Sequence, residues 1–181
     1  MKEARFMEVR ISAPLSKEDA QKLRCGDRVL ISGEIYTARD AAHKRMVEEI
    51  ENGGKLPFEI NDSVVYYAGP TPAKPGRVIG SCGPTTSCRM DAYAPKLIEL
   101  GQRAMIGKGE RSREVIDAMK KHRCVYLGAI GGAGALIAGC VERSEVVAYD
   151  DLGTEAIRKL TVRDFPAVVV IDCEGNSLYS R

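Results

Sequence analysis

Apolar and polar positions alternate over Phe6 to Ile11, with Met7, Val9 and Ile11 on one side, and a period of two predicts a strand. Ser16-Lys17-Glu18-Asp19 has the spacing of a capping box and opens a short helix. RVLISGEIYT, residues 28–37, reads as two short strands broken at Gly33. Then the period lengthens. After Thr37-Ala38-Arg39-Asp40, again at capping-box spacing, Ala42, Met46 and Ile50 recur every fourth position and predict a helix of about four turns, stopped by Gly53-Gly54. SVVYYA at 63–68 is a strand, and the proline-rich GPTPAKPG after it is loop. From Arg77 strands and helices take turns: strand RVIGS, a helix from Ser87, strand RAMIG, helix Ser112–Lys121, strand CVYLG, a small-residue segment, strand EVVAY, a short helix near Glu155–Leu160, and a hairpin within AVVVIDCEGNSLYS. Pro95 falls inside the helix from Ser87 and is expected to kink or end it. The pattern predicts an α/β fold of layered mixed sheets with helices, in a single domain over residues 1–181, since no long linker interrupts it.

Composition changes this picture little. Of 181 residues 44% are hydrophobic and 29% charged, with a net charge of +2, as in ordinary globular domains. The charges are interspersed, without the basic stripe of a nucleic-acid binder, so no nucleic-acid partner is expected. No apolar run approaches the roughly 18 residues of a membrane span, and MKEARFMEV has no apolar signal region. No membrane association is expected, and the compartment expected is the cytoplasm. The six cysteines, Cys25, Cys82, Cys88, Cys124, Cys140 and Cys173, form no C-x-x-C pair, and Cys82-x5-Cys88 matches no common zinc or iron–sulfur spacing. They read as free thiols acting as small hydrophobes.

Four stretches could carry chemistry. GPTTSCRMD, residues 83–91, puts three hydroxyls and Arg89 at the mouth of the helix from Ser87. Helix N-termini have unpaired N–H groups, and a guanidinium fork matches a carboxylate, so this is either an N-cap with a surface arginine or an anion site. Its order is not that of a P-loop. In TARDAAHKR, residues 37–45, Arg39 and His43 are spaced i, i+4 on one helix face, about opposite the apolar positions. A cation in the first turn implies a nearby anion, which Asp40 could itself supply. His43 taken alone reads as a partly exposed surface histidine. Lys108, between Gly107 and Gly109 after a strand, is a further possible anion contact or a plain turn. GAIGGAGALIAG, residues 128–139, lacks the third glycine of a dinucleotide fingerprint and reads as close backbone packing, against this chain or a partner.

Taken together, TARDAAHKR, YAGP at 67–70, GPTTSCRMD, IGKG at 106–109 and YLGAIGGAGAL at 126–136 resemble, in the same order, the C-terminal or beta part of iron–sulfur (class I) fumarases and the related L-tartrate dehydratases. The resemblance implies a swivelling β/β/α domain. It implies a beta subunit of a two-subunit hydro-lyase, acting on fumarate and L-malate as in the tricarboxylic acid cycle and active only with an alpha subunit, in an expected heterotetramer. The alpha subunit would carry a [4Fe–4S] cluster with one iron open to substrate, and this chain would bind no metal. By motif position, Arg39, Arg89 and Lys108 would bind the carboxylates of a small dicarboxylate, with Thr86 a further binding or capping hydroxyl. Thr85 would transfer the proton, and His43 would orient Arg39. Cys88 stands where the family more often has glycine or alanine, which leaves open a redox-sensitive thiol. An L-tartrate dehydratase beta subunit is the alternative within the same machinery. A non-catalytic anion-binding or assembly module is the alternative outside it.

Overall fold

The computed structural model describes residues 8–129 and 133–180. In chain order the elements are β1 (Glu8–Ala13), α1 (Lys17–Ala20), β2 (Arg28–Thr37), α2 (Asp40–Glu51), β3 (Val64–Tyr66), a 3-10 turn (Ser87–Met90), α3 (Ala94–Glu99), β4 (Ala104–Gly107), α4 (Arg113–His122), β5 (Val125–Gly128), α5 (Gly134–Gly139), β6 (Val141–Ala148), a second 3-10 segment (Asp150–Glu155) and β7 (Ile157–Ile171).

The strands β2, β3, β4 and β5 lie side by side and parallel, and α2, α3 and α4 occur in the crossovers between them. β7 then runs antiparallel to both β5 and β2, so the pairing β2-β3-β4-β5-β7 returns to β2. β1 adds to β2 and β6 to β7 at the margins. The period of two now has two destinations. Val64, Tyr66, Ala104, Ile106, Val125 and Leu127 turn into a core between the strands, with Ile31, Ile35, Leu160 and Phe165. Their neighbours Val65, Tyr67, Met105 and Tyr126 turn to a second core under the helices, with Met46, Leu97, Ile98, Val115 and Met119. The result is a mixed α/β fold, one sheet with a core among its strands and a second core under the helices. Among the described residues no helix is long and apolar enough to cross a membrane.

Several local expectations are corrected. Residues 28–37 form one strand. Gly33 does not break it but bulges it, at φ +117°, where a Cβ would lie 2.2 Å from the Ala13 carbonyl oxygen of β1. Thr37 does not cap α2. It is buried at the end of β2, accepting from the Arg158 N–H at 3.2 Å, and Arg39 is the N-cap, with no side-chain cap bond. RVIGS forms no strand, because its neighbour is the loop at Thr71, whose N–H donates to the Ser81 carbonyl. The expected helix from Ser87 is a single 3-10 turn followed by α3, and Pro95 sits in the first turn of α3, where its missing N–H costs nothing. Residues 157–160 are strand, because Ile157 to Val162 pair along β6, and Arg158 to Val162 along β2 as well. The closing hairpin reduces to the end of β7 and one bridge, Ile171 to Ser177. Ser16 and Ser112 do cap α1 and α4, accepting from Asp19 and Val115 N–H.

Candidate functional site

Because β2 to β5 are parallel neighbours, their carboxyl ends share one edge, where open α/β sheets place ligands. Arg39 follows β2 by two residues, Gly69 follows β3 by three, and Lys108 follows β4 directly. The loop 83–91 lies across them. The Thr85 N–H donates to the Tyr67 carbonyl at 2.7 Å, the Ser87 N–H donates to the Lys108 carbonyl at 2.9 Å, and Thr86 bridges to Lys108. Gly107 makes this approach possible, since a Cβ there would meet Ser87 Oγ at 2.0 Å.

These contacts answer the anion-site question in an unexpected way. The 3-10 turn is only four residues long, its N-cap Thr86 makes no side-chain cap bond, and the Thr85 and Ser87 N–H groups are already used. Backbone donors at a helix mouth are therefore not the feature of interest. The side chains are. Asp40 Oδ2 forms an ion pair with Arg89, 2.9 Å from its Nη2, while Asp40 Oδ1 stands 3.7 Å from Arg39 Nε. Glu155 Oε1 approaches the same Nε at 3.5 Å. Both approaches to Nε are within ion-pairing range, but Arg39 Nε, Asp40 Oδ1 and Glu155 Oε1 have no hydrogen-bond partner. Gly69 lets the Arg39 side chain lie close, a Cβ there being 3.1 Å from its Cδ. Two guanidinium groups thus share one carboxylate, with Lys108 on the adjoining loop. Arg39 and Arg89 offset Asp40 and Glu155, and the exposed Lys108 on the adjoining loop adds a further positive charge to this edge. Arg89, Thr86 and Lys108 are exposed, Arg39 and Thr85 half-buried, so the edge is open to solvent.

His43 is corrected outright. It is fully buried, not on a surface face opposite the apolar positions. Its ring meets Tyr67 edge-on at 5.2 Å, and its Nδ1–H donates to the Arg39 carbonyl at 2.9 Å. Nε2 has no partner. Burial holds this imidazole neutral, with its pKa down to about 4 from 6.5. It thus holds the Arg39 backbone rather than the guanidinium.

The sequence reading missed Asp40 as a shared partner of both arginines, Glu155, and a buried group beneath the loops formed by Asp91, Arg111, Tyr67 and Tyr126. Gly134 packs within this chain, its carbonyl accepting from the Cys82 N–H at 3.1 Å, as close packing predicts, while Gly131 and Gly132 lie outside the described residues. Among the described residues no three of His, Cys, Asp or Glu gather into a possible metal site. Burial pushes the Cys82 and Cys124 thiols up to about 12, far from the thiolate a cluster needs. The residues present therefore do not make a cluster site. A cavity of about 570 Å³ lies elsewhere, lined by Thr71, Arg77, Ile79, Ser81, Ala138 and Val141 among others. Its polar residues are all exposed.

A family described as Fumarase C-terminus matches residues 1–181. The chain is 44% identical over 156 residues to an aerobic class I fumarate hydratase of Escherichia coli, covering 85% of this chain and 28% of that protein. It is 40% identical to the corresponding protein of Salmonella typhimurium, covering 99% of this chain and 32% of that one. It is 42% identical to a provisionally named L(+)-tartrate dehydratase subunit beta of Methanocaldococcus jannaschii, covering 92% of this chain and 89% of that subunit. The chain thus spans about a third of the fumarate hydratases it matches and nearly all of the beta subunit.

Proposed function

The chain belongs to the Fumarase C-terminus family, and from that membership we propose that it is the beta part of an iron–sulfur hydro-lyase that interconverts fumarate and L-malate. The observation that carries the reading is the meeting of Arg39 and Arg89 on Asp40, beside Lys108 and Thr85, at the carboxyl ends of β2 to β4. A dicarboxylate needs two cationic clamps within one molecule's length. Arg39 and Arg89 supply guanidinium forks and Lys108 a point charge. When substrate binds, its carboxylate takes over part of the pairing that Asp40 holds in the free chain. Thr85 transfers the proton at the carbon beside the leaving hydroxyl. A hydroxyl is a poor base, so its setting must activate it, and its main chain is pinned to Tyr67 for that placement. Thr86 binds or caps.

The [4Fe–4S] cluster of this family would be held by an alpha part outside the described residues, where its open iron supplies Lewis-acid chemistry. The relative named as a subunit beta supports a partner subunit, and a heterotetramer with that alpha subunit is the proposed assembly. Cys82, Cys88, Cys124, Cys140 and Cys173 are free thiols, which fits the reducing cytoplasm proposed as its compartment. Tartrate dehydration is the second reading, favoured by the beta subunit that this chain matches over 89% of its length. The deciding experiment reconstitutes this chain anaerobically with its cluster-bearing partner and compares turnover of L-malate, fumarate and L-tartrate. Malate and fumarate turnover is expected. Exclusive tartrate turnover selects the second reading, and inactivity on all three removes both.

A further inference from the structure

Arg111 carries a charge that is wholly buried. Its side chain is 0% exposed, against 92% for Arg113 two residues on. Its Nε–H donates to Asp91 Oδ1 at 2.7 Å, its Nη2 lies 3.4 Å from the Tyr67 hydroxyl, and its guanidinium lies over the Tyr67 and Tyr126 rings at 5.3 and 5.1 Å. Asp91 Oδ2 also accepts from the Ser112 N–H at 2.6 Å. Beside this pair, the Tyr126 hydroxyl donates to the Gly109 carbonyl at 2.9 Å, which leaves its oxygen to accept from Ser87 Oγ–H, also at 2.9 Å.

Stability alone does not account for such a pair, because well-packed apolar residues can replace a buried ion pair at little or no cost. Its topology does. Asp91 closes the loop that bears Thr85, Thr86 and Arg89. Arg111 and Ser112 close the loop that bears Lys108. Tyr67, against which Arg111 stacks, gives the carbonyl that holds Thr85. We infer that Arg111 is a positioning residue for the reaction proposed above: through Asp91 and Tyr67 it fixes loop 85–91 against loop 107–112, so that Thr85, Arg89 and Lys108 face one dicarboxylate. The inference rests on the dicarboxylate reading.

The test is the double variant Arg111→Met with Asp91→Leu, studied in the reconstituted enzyme and by amide hydrogen exchange in this chain. Leu23→Ala, in the core between the strands and away from the site, is the control for simple destabilisation. The double variant should keep a Tm near that of the parent, while kcat falls and KM rises together for a loss on the order of 10²-fold in kcat/KM. Exchange should quicken at the Thr85 and Ser87 amides while β2 and β7 stay protected. Leu23→Ala should lower Tm with kcat and KM unchanged. Should the double variant not fold, Arg111→Lys, which keeps the charge but not the fork that reaches Asp91 and Tyr67, should give the same selective exchange and a smaller loss of activity. Unchanged exchange at Thr85 and Ser87, or kinetics that follow Tm as in the control, overturns the inference. If the parent complex turns over none of the three substrates, the dicarboxylate reading fails, while exchange still decides whether Arg111 holds the loops.

Discussion

Different forces hold the β2/β7 ladder and the loop cluster at the carboxyl ends of β3 and β4. β2 and β7 pair over most of their length, and their inward side chains are apolar: Ile31, Ile35, Leu160, Val162 and Phe165. Area buried decides stability there, and direction matters little. In the loops, order comes from directed bonds: Thr85 to Tyr67, Ser87 to Lys108 and to Tyr126, Asp91 to Arg111 and Ser112. Such bonds fix orientation while adding little net stability. The ladder makes the molecule stable and the loops make it specific, so damage to each should register in a different measurement.

The largest separation is expected at Thr85. Thr85→Ala should lower kcat by about 10²–10⁴-fold, the usual worth of a proton-transfer group, with a smaller change in KM and an unchanged Tm. Thr86→Ala should be milder, and the reverse ranking in steady-state kinetics would move the catalytic hydroxyl to Thr86. The opposite signature belongs to Phe165, fully buried and edge-on to Tyr66 at 5.1 Å. Phe165→Ala should cost about 3–5 kcal/mol in urea unfolding while activity per folded molecule persists.

His43 gives the loop region a pH dependence that the apolar ladder lacks. Its folded pKa of about 4 lies below the ordinary 6.5. As pH falls the unfolded chain therefore takes the proton first, so the stability owed to neutral His43 is complete above pH 6.5 and is lost as pH drops toward 4. The amount is about 3 kcal/mol. Urea unfolding at pH 7 and pH 4 should show that loss in the parent and not in His43→Leu. Equal losses in both would place the acid sensitivity elsewhere.

Where a segment's fate rests on its own residues, it was readable. Ser112 caps α4, and the short continuous apolar runs VVY, AMIG and VYLG mark β3 to β5. Where the outcome rests on distant neighbours, it was not. Ile157 and Leu160 sit at helical spacing, yet ladders to β2 and β6 hold them in a strand. Thr37 has the chemistry of a cap, but the Arg158 N–H claims its hydroxyl from across β7. At the site, Arg39, Arg89 and Lys108 stand out because cations occur beside turn residues at strand ends. Arg111 does not stand out. In GERSRE it looks like Arg113, and only the fold buries one and exposes the other. Glu155 stays hidden too, because the contact that places it beside Arg39 spans most of the chain.

Arg89→Lys isolates geometry from charge. A lysine keeps the cation but cannot make the two parallel hydrogen bonds of the fork. Arg89 is half-exposed and pairs only at the rim with Asp40, so stability should hold and Tm should not move. In the reconstituted enzyme kcat/KM for L-malate should fall about 30-fold or more, matching the roughly 2–5 kcal/mol lost when a charge-assisted contact to a buried partner is broken. A variant with parental kcat/KM would make Arg89 an ordinary surface residue, and the paired-arginine site at the ends of β2 to β4 would have to be abandoned.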